Sequence, residues 1–338
     1  MRLLLAAALL PLCAARADYL DRPEAARLLS LLQTQYEFTA ADLDVVKAAL
    51  KQAQPLPQLI DAERNSKERT LSWDEYRALH VNAANIANGL RFLDEQKLWL
   101  ARAEAQYGVP PEVIAALLGV ETKYGAYTGR VRVLDALATQ GFDHPTRAAF
   151  FFDQLAQFFV LCRDQHLDPT RPLGSYAGAM GEAQFMPSAW RRLAVDFDGD
   201  GRVDLWSAPD AIGSVANYLV SYDPQRAWQR GEPLLATASA PSARPATLTP
   251  NLKYATYRFA QLRKDGIDTE AWFPDAQPVG LVELERADGP EYWIALPNFY
   301  AVMAYNPRVF YAMAVTELAA ALKQAQSAPP GALESAAR

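Results

Sequence analysis

One glutamate stands at the end of a strongly apolar stretch and is the residue best placed to do acid–base chemistry. Glu121 follows the run "VIAALLGV" in the segment "GVETKYG". In a helix, Ile114, Leu117, Leu118 and Glu121 fall at i, i+3, i+4 and i+7, so the carboxyl group shares the core-facing side. Burial raises a carboxyl pKa, which makes a glutamate a general acid near neutral pH. A glutamate at this position can also have a structural role, in an ion pair or as a cap of a neighbouring segment. From this helix alone, the structural role is favoured over catalysis.

A glycine-rich segment, "GSYAGAMGEAQFMPSAW", offers a second set of candidate groups. Its glycines allow the backbone to approach another group closely, and its polar side chains include a hydroxyl, a phenol and an amide. Such groups hydrogen-bond to sugars, and aromatic side chains stack on the faces of sugar rings. A tight structural loop before a helix at Pro187 has the same composition. The candidate substrate-binding residues here are Ser175, Tyr176, Met180 and Gln184.

The acidic segment "DFDGDGRVDLWSAPD" follows the first half of a calcium-loop template. Three aspartates occupy positions one, three and five, and Gly201 provides the turn at position six. The template expects a glutamate at position twelve, where this chain has Ser207, so Asp210 is the best candidate for the closing ligand. Without a cation, carboxylates this close repel one another. The predicted ligands of a structural Ca²⁺ are Asp196, Asp198, Asp200, the Arg202 carbonyl, Asp204 and Asp210.

An aromatic segment near the C-terminus, "LPNFYAVMAYNPRVFYAMAV", interrupts its apolar residues with polar ones. Asn298, Tyr305 and Tyr311 are candidates for the lining of a groove. A buried pair of helices with two hydrogen-bonded phenols would have the same pattern.

Composition and motif content exclude several other functions. The 338 residues are 51% hydrophobic and carry a formal charge of −6, so a folded core is expected and nucleic acid is a poor partner. None of the three histidines lies in a zinc-binding array, and no serine-nucleophile or phosphate-binding motif is present. Of the two cysteines, Cys162 has apolar flanks typical of a buried residue.

Periodicity predicts a mainly α-helical chain. Helices are expected at Pro23–Gln35, at 41–54 after Thr39, and as one long element after Ser72; the Thr39 and Ser72 starts resemble capping boxes. A helix from Pro111 to Tyr124 carries Glu121. Further helices are expected at 150–164, 187–194, 209–221 and in the aromatic segment, with β-formers between 231 and 295.

The first seventeen residues have the pattern of a secretory signal peptide, with Arg2, an apolar run and a small-residue ending at Ala17. The apolar run is too short to span a bilayer. Leu12 precedes Cys13 where a lipoprotein signal requires a small residue, so we expect an unlipidated, exported protein of the periplasm, with no transmembrane segment in the mature chain. Its charge would be about −8 after loss of two arginines.

Four motifs in this order, "YGVPPEVIAALLGVETKYG", "GSYAGAMGEAQFMPS", "DFDGDGRVDLW" and "NFYAVMAYN", resemble the membrane-bound lytic murein transglycosylase B family of peptidoglycan-cleaving enzymes. The resemblance extends from about Trp73 to Ala320. It implies a lysozyme-like core with a helical N-terminal domain and a small β-rich insertion. The expected regions are a signal peptide (1–17), an N-terminal helical region (18–72), the catalytic core (73–230), the insertion (231–295), C-terminal helices (296–322) and a flexible tail (323–338).

The same resemblance implies roles for individual residues. Glu121 corresponds to a single catalytic acid and base, Ser175 and Gln184 to groups that hold muramic acid, and the late aspartate Asp210 to the residue that completes a calcium site. The aromatic positions that line the groove correspond to Tyr218, Tyr305 and Tyr311. Glu182 is a departure, because it places a second carboxyl group in the glycine-rich loop.

The activity implied is cleavage of the bond between N-acetylmuramic acid and N-acetylglucosamine without water, which forms a 1,6-anhydro sugar. Most glycosidases use two carboxyl groups, whereas only Glu121 has a strong claim here. Two alternatives remain open from the sequence: a hydrolytic muramidase, and a non-catalytic calcium-dependent wall-binding module. Peptidoglycan glycan strands are the expected partner, and the candidate protein partners are those of cell-wall synthesis or hydrolysis. No cofactor is expected for catalysis.

Overall fold

The protein is described from a computed structural model that covers residues 18–64, 70–240 and 244–327. Helices dominate these ranges, so the mainly α prediction is confirmed. The α-helices are α1 (Pro23–Gln35), α2 (Ala40–Gln52), α3 (Gln58–Arg64), α4 (Trp73–His80), α5 (Ala83–Glu95), α6 (Lys97–Tyr107), α7 (Pro111–Thr122), α8 (Val133–Asp143), α9 (Ala148–Asp164), α10 (Pro187–Leu193), α11 (Ala208–Ser221), α12 (Phe259–Lys264), α13 (Pro297–Tyr305) and α14 (Val309–Ser327).

Both predicted capping boxes are present. The Thr39 hydroxyl accepts the Asp42 N–H and the Asp42 carboxylate accepts the Thr39 N–H at the start of α2. Ser72 and Glu75 make the same reciprocal pair at the start of α4. These bonds satisfy backbone donors that have no partner inside the helix, which is why the sequence marks these two starts so clearly.

The prediction of one long helix after Ser72 is wrong, because the chain forms three shorter helices there, α4, α5 and α6. α4 ends at His80, and Asn82 starts α5 by accepting the Asn85 N–H at 3.0 Å through its side chain. Asparagine competes for backbone hydrogen bonds in this way and favours caps over helix interiors. A second break falls at Gln96, between α5 and α6.

Helix α7 lies at the centre of the protein. It packs against α14, α5, α6 and α11, and the whole stretch Val113–Val120 is buried. The sequence pattern predicts one buried face, whereas this helix is buried on all sides, as expected for an apolar helix inside a core. Glu121 follows this buried stretch and is itself partly exposed, at the end of the helix.

The N-terminal helices share the main core with the rest of the helical protein. Leu28 and Leu32 of α1 belong to the same buried cluster as α7. The Tyr19 hydroxyl lies 3.0 Å from the Thr139 hydroxyl of α8, a helix that the sequence patterns above do not predict. Residues 18–64 thus support the pair α8 and α9.

A small β unit occupies the region predicted for it. Its strands are β3 (Leu235–Thr237), β4 (Tyr257–Arg258), β5 (Pro278–Arg286) and β6 (Gly289–Ala295), in the antiparallel order β3-β6-β5-β4. The register pairs Gly280 with Ala295 and Arg286 with Gly289. A second, smaller core lies under this sheet around Phe259, Leu281 and Ile294. A separate two-stranded ladder joins β1 (Val131–Arg132) to β2 (Leu173–Gly174) beside the glycine-rich loop.

The predicted tail begins too early. Helix α14 continues to Ser327, so residues 323–327 are helical, and 328–338 lie outside the described residues. The predicted signal peptide, residues 1–17, also lies outside them. Among the described residues, no helix is both long and apolar enough to cross a membrane.

Candidate active site

Glu121 is held where helix α7 stops. Lys123 and Tyr124 both adopt left-handed backbone conformations, with φ of 53° and 59°, which turn the chain sharply away from the helix axis. The Tyr124 ring enters a slot beside Gly89 and Gly119, where an added Cβ would lie 2.4 Å and 2.6 Å from its nearest atoms. The helix therefore ends two residues before the predicted Tyr124, and this end fixes the direction of Glu121.

Glu121 is hydrogen-bonded to a tyrosine from the other end of the chain. The Tyr311 hydroxyl of α14 donates a hydrogen bond of 2.5 Å to Glu121 Oε1. Burial, reinforced by the Glu121 carboxylate, holds the pKa of Tyr311 well above its usual value of 10. The phenol stays protonated at neutral pH and remains a hydrogen-bond donor to the carboxyl group.

A row of tyrosines extends from Glu121. The Tyr311 and Tyr305 rings are nearly parallel at 6.5 Å, and Tyr305 lies 4.5 Å from Tyr218. Tyr218 in turn stacks on Tyr222 at 4.4 Å and 10°. The Tyr305 and Tyr218 hydroxyls donate to the carbonyl oxygens of Ala183 and Ala304. The structure thus brings the three predicted groove tyrosines together, with their hydroxyl protons already engaged.

The glycine-rich loop packs directly on the end of α7. The Thr122 hydroxyl donates to the Glu182 carbonyl oxygen at 3.0 Å and accepts the Gly125 N–H at 3.0 Å. Gly129 contacts the loop so closely that an added Cβ would lie 2.0 Å from the Gly174 carbonyl. Glycine is required there because no other residue leaves room for the opposing backbone. The loop is therefore positioned against helix α7 by the Thr122 hydroxyl and by close backbone contact.

The predicted residues of this loop differ in accessibility. Ser175 is partly buried, and its oxygen accepts the N–H groups of Ala177 and Ala179. Tyr176 is 39% exposed. Gln184, in a left-handed conformation with φ of 50°, donates to the Thr128 and Gly181 carbonyl oxygens. Met180 is 1% exposed, so its side chain supports the loop from inside the core.

Asn298 does not lie in the groove. It is fully buried, its Nδ2 donates to the carbonyl oxygens of Gln229 and Glu232, and its Oδ1 accepts the Gln229 N–H. These bonds fasten the segment that leads from the helical core to the β unit. The expectation that Asn298 contacts a sugar is therefore corrected: its amide is committed to backbone groups.

A second carboxyl group lies behind the glycine-rich loop. An added Cβ on Gly125 would lie 2.7 Å from Glu182 Oε1, so this side chain packs against the turn after Glu121. Glu182 Oε2 is buried and has no hydrogen-bond partner among the described residues. Burial, with a smaller contribution from Asp204, raises the pKa of Glu182 to about 7. A carboxyl group in this setting is largely protonated below neutral pH.

A cavity of about 930 Å³ continues from the tyrosine row. Gln184, Tyr218 and Tyr305 form part of its lining, together with Tyr222 from the end of α11. Its four cations belong to none of the sequence motifs, because they come from three separate places in the chain. These are Arg191, Arg192, Arg226 and Lys253.

The acidic loop brings three of its predicted ligands together. One carboxylate oxygen each from Asp196, Asp198 and Asp210 lies within 4.8 Å of the others. Asp210 is buried, and its oxygens accept the backbone N–H groups of Phe197 and Asp204. Desolvation raises the pKa of Asp210. Hard carboxylate oxygens so close together fit Ca²⁺.

The other predicted ligands lie in the same loop but outside that three-residue cluster. The Asp200 carboxylate accepts the Arg202 N–H at 2.8 Å, and the Asp204 carboxylate accepts the Trp206 N–H at 2.9 Å. Their ligation of a metal stays a prediction. The acidic loop supports the glycine-rich loop, because Glu182 donates its N–H to the Leu205 carbonyl oxygen at 2.7 Å.

Comparisons with known proteins agree on one family. Residues 25–320 match the family model described as "Transglycosylase SLT domain". The chain is 35% identical to membrane-bound lytic murein transglycosylase B of Escherichia coli over 317 residues, 91% of this chain and 85% of that protein.

Solved structures give the same result and confirm the lysozyme-like fold class. The catenated lytic transglycosylase SltB1 of Pseudomonas aeruginosa superposes with a TM-score of 0.85 at 39% identity, over 92% of this chain and all of that one. The E. coli lytic transglycosylase Slt35, solved in complex with calcium, gives 0.82 at 36% identity over 92% and 96%. SltB3 of P. aeruginosa, solved with NAG-anhNAM-pentapeptide, gives 0.74 at 28% identity over 89% and 78%.

Proposed function

The chain belongs to the transglycosylase SLT domain family and is a lytic transglycosylase of peptidoglycan; from this premise we propose that Glu121 is its single acid and base. The Tyr311–Glu121 hydrogen bond carries the proposal, because it orients one carboxyl group at the end of a buried helix beside the glycine-rich loop. Family membership among enzymes leaves no room for a purely non-catalytic wall-binding module.

The proposed reaction uses Glu121 twice. Its carboxyl group first gives a proton to the bridging oxygen between N-acetylmuramic acid and N-acetylglucosamine, and the bond from C1 to that oxygen breaks. The N-acetyl group of the muramic acid stabilises the cationic centre. The carboxylate then takes the proton of the C6 hydroxyl, whose oxygen bonds to C1 and closes the 1,6-anhydro ring. One residue can serve in both steps because the first leaves it as a base.

Tyr311 and Thr122 position the acid in this scheme. The phenol of Tyr311 fixes the orientation of the Glu121 carboxyl group, since its own raised pKa keeps it a donor. Thr122 links the helix end to the glycine-rich loop through Glu182. Catalytic groups must be held within a fraction of an ångström, and such supporting contacts achieve this.

Ser175, Tyr176 and Gln184 are the proposed contacts to the sugars beside the cleaved bond. All three belong to the loop that packs on the catalytic helix, and Gln184 also lines the cavity. Tyr218 and Tyr305 line the cavity as well and offer ring faces for stacking on pyranose rings. Tyr311 acts through Glu121, and Met180 acts by supporting the loop.

We also propose that the acidic loop binds a structural Ca²⁺. The fit rests on the Asp196, Asp198 and Asp210 oxygens, with Asp200, the Arg202 carbonyl and Asp204 as further oxygen donors. A bound cation would neutralise the mutual repulsion of these carboxylates. Its proposed role is structural, because the acidic loop is hydrogen-bonded to the glycine-rich loop through the Glu182 N–H and the Leu205 carbonyl oxygen.

Relatives bind peptidoglycan fragments, and we propose that this chain acts on glycan strands in the periplasm after export. The support for export is the signal-like pattern of the first seventeen residues. Partners among the proteins of cell-wall synthesis or hydrolysis follow from that location. Mass analysis of the N-terminus of the periplasmic protein would test the cleavage after Ala17.

The proposed role of Glu121 is tested with Glu121→Gln, which keeps the shape of the side chain and removes the acid. We expect the variant to fold and to bind glycan strands while cleavage falls by roughly a hundredfold or more. Glu182→Gln is the matched control and should retain cleavage. Full activity of Glu121→Gln would contradict the proposal.

A further inference from the structure

The cavity beside the tyrosine row has an unusual charge for this protein. Arg191, Arg192, Arg226 and Lys253 line it, and within the described ranges none of its lining residues is an aspartate or glutamate. The chain as a whole carries a charge of −6. Clustered cations in a concave surface create a local positive potential that attracts anions.

Two of these cations are not neutralised by a carboxylate of the described chain. Lys253 is exposed and forms no ion pair there. Arg192 makes one long hydrogen bond of 3.4 Å, to the Tyr222 carbonyl oxygen, and its guanidinium lies 4.8 Å from the Tyr222 ring centre. Stacking of this kind fixes the position of an arginine while leaving N–H donors available.

The other two cations are partly engaged and frame the cavity. Arg226 pairs with Asp223 at 2.8 Å and stacks over the Tyr254 ring at 4.7 Å. Arg191 donates to Gln157 and lies 3.8 Å from Asp164. The cavity thus combines two pre-positioned guanidinium groups with two available charges.

The cations are continuous with the proposed glycan groove. Tyr222, on which Arg192 stacks, is itself stacked on Tyr218, and Tyr218 contacts Tyr305. Tyr305 is next to Tyr311, the partner of Glu121. A substituent of a sugar bound near Glu121 could therefore extend along this row of tyrosines to reach the cations.

We propose that this cavity binds the carboxylates of the peptide that muramic acid carries, with Arg192 and Lys253 as the principal anion contacts. The inference rests on the proposed function, since the acidic peptide is joined to the sugar whose bond is cleaved. Arginine binds carboxylates through paired N–H groups, and a lysine adds a mobile point charge. A glycan strand without peptides lacks the peptide carboxylates and keeps only the lactyl carboxylate of each muramic acid, which is attached directly to the sugar ring.

The consequence is a preference for peptide-bearing strands. Each exposed contact is modest alone, but a lined cavity with several cations raises both the encounter rate and the lifetime of an anionic ligand. We expect the preference to weaken with added salt, because such contacts are screened.

The test uses the double variant Arg192→Gln with Lys253→Glu and two substrates: intact peptidoglycan strands, and strands stripped of peptides by an amidase, which retain the lactyl carboxylate but no peptide carboxylate. We expect kcat/KM on intact strands to fall by roughly tenfold or more and that on stripped strands to change by less than about twofold. Lys51→Glu, which changes an exposed lysine of α2, is the matched control and should affect neither substrate.

Three results would overturn the inference. An equal loss on both substrates would mean that the cavity binds glycan, and no loss on either would mean that the cations are only solvated. If the wild-type protein keeps its preference for strands whose stem carboxylates have been amidated over stripped strands, then charge is not recognised. Failure of the proposed function is distinguished by Glu121→Gln, which must abolish cleavage of both substrates.

Discussion

The Tyr311 hydroxyl donates a 2.5 Å hydrogen bond to Glu121 Oε1 between residues that are 190 positions apart in the sequence. Both belong to helices of the main core, because α14 packs along α7. Long-range packing of two buried helices therefore orients the one carboxyl group that the proposed reaction uses.

Tyr311→Phe should reduce kcat more than it changes KM. The ring remains in its buried place, while the carboxyl group loses a donor; such a hydrogen bond to a charged group contributes about 1.5 to 3 kcal/mol, or roughly tenfold to a hundredfold in rate. Steady-state kinetics on soluble glycan strands measures this. Tyr19→Phe removes another buried phenol hydroxyl, which pairs with Thr139 instead of Glu121, and should leave kcat unchanged. Equal kcat values for Tyr311→Phe and wild type would show that the bond has no role in catalysis.

Glu182→Gln should stabilise the protein above neutral pH. The pKa of Glu182 is about 7 in the folded protein against a usual value of 4.5, so unfolding releases a proton within that window and wild-type stability falls as pH rises through it. Glutamine does not titrate, and the variant should gain about 1 to 3 kcal/mol relative to wild type by pH 8.

Urea unfolding at pH 5 and pH 8 with a calcium chelator measures the difference. The chelator is needed because a cation in the acidic loop would favour the charged carboxylate. Glu285→Gln changes an exposed glutamate of β5 and should match wild type at both pH values. A constant difference between Glu182→Gln and wild type across the two pH values would show that Glu182 is not protonated in the fold.

His80→Phe should make the protein less sensitive to acid. Burial, with a contribution from Lys123, lowers the pKa of His80 to about 4. The folded protein keeps this ring neutral while the unfolded chain takes up a proton, so stability is lost as pH falls from 6.5 toward 4. Phenylalanine removes about 1 to 3 kcal/mol of that loss and still packs beside Tyr76.

Thermal unfolding at pH 4.5 and pH 7.5 checks this effect. His166→Asn is the control, because His166 is exposed and asparagine tolerates its left-handed backbone. A pH dependence of His80→Phe identical to that of wild type would mean that His80 has no part in acid unfolding.

Asp198→Ala should abolish stabilisation by calcium. A ligand that binds only the folded state raises Tm with its concentration, and Asp198 supplies one of the three clustered oxygens. Melting curves of wild type should shift upward with Ca²⁺, while those of Asp198→Ala should not. Asp288→Ala removes an exposed carboxylate between β5 and β6 and should keep the wild-type response. A wild-type curve that calcium does not move would end the calcium proposal.

Local signals in the sequence were sufficient for much of the fold. The caps at Thr39 and Ser72 and the Pro111 start of α7 depend on neighbouring residues, so the sequence states them directly. The apolar period continues across Asn82 and hides the break there, because the side-chain cap to Asn85 is what separates the two helices.

The sequence predicts the motifs of the site, but it does not predict the contacts between residues that lie far apart in the chain. Glu121 and the loop around Gln184 are visible as short patterns, whereas the Tyr311 bond depends on how α14 packs on α7. The cations of the cavity come from segments with no shared motif, so only the fold brings Arg192 and Lys253 together. The sequence pattern does not distinguish the two roles of Asn298, because an amide in an aromatic segment can bind backbone groups as well as sugar.

The most direct test of the central claim is digestion of peptidoglycan by the wild-type protein in water labelled with heavy oxygen, followed by mass analysis of the new muramic acid ends. The account predicts 1,6-anhydro ends without label, because the C6 hydroxyl of the sugar attacks C1 and Glu121 serves as acid and then as base. Reducing muramic acid ends that carry one labelled oxygen would contradict it, because a water molecule would then have been the nucleophile.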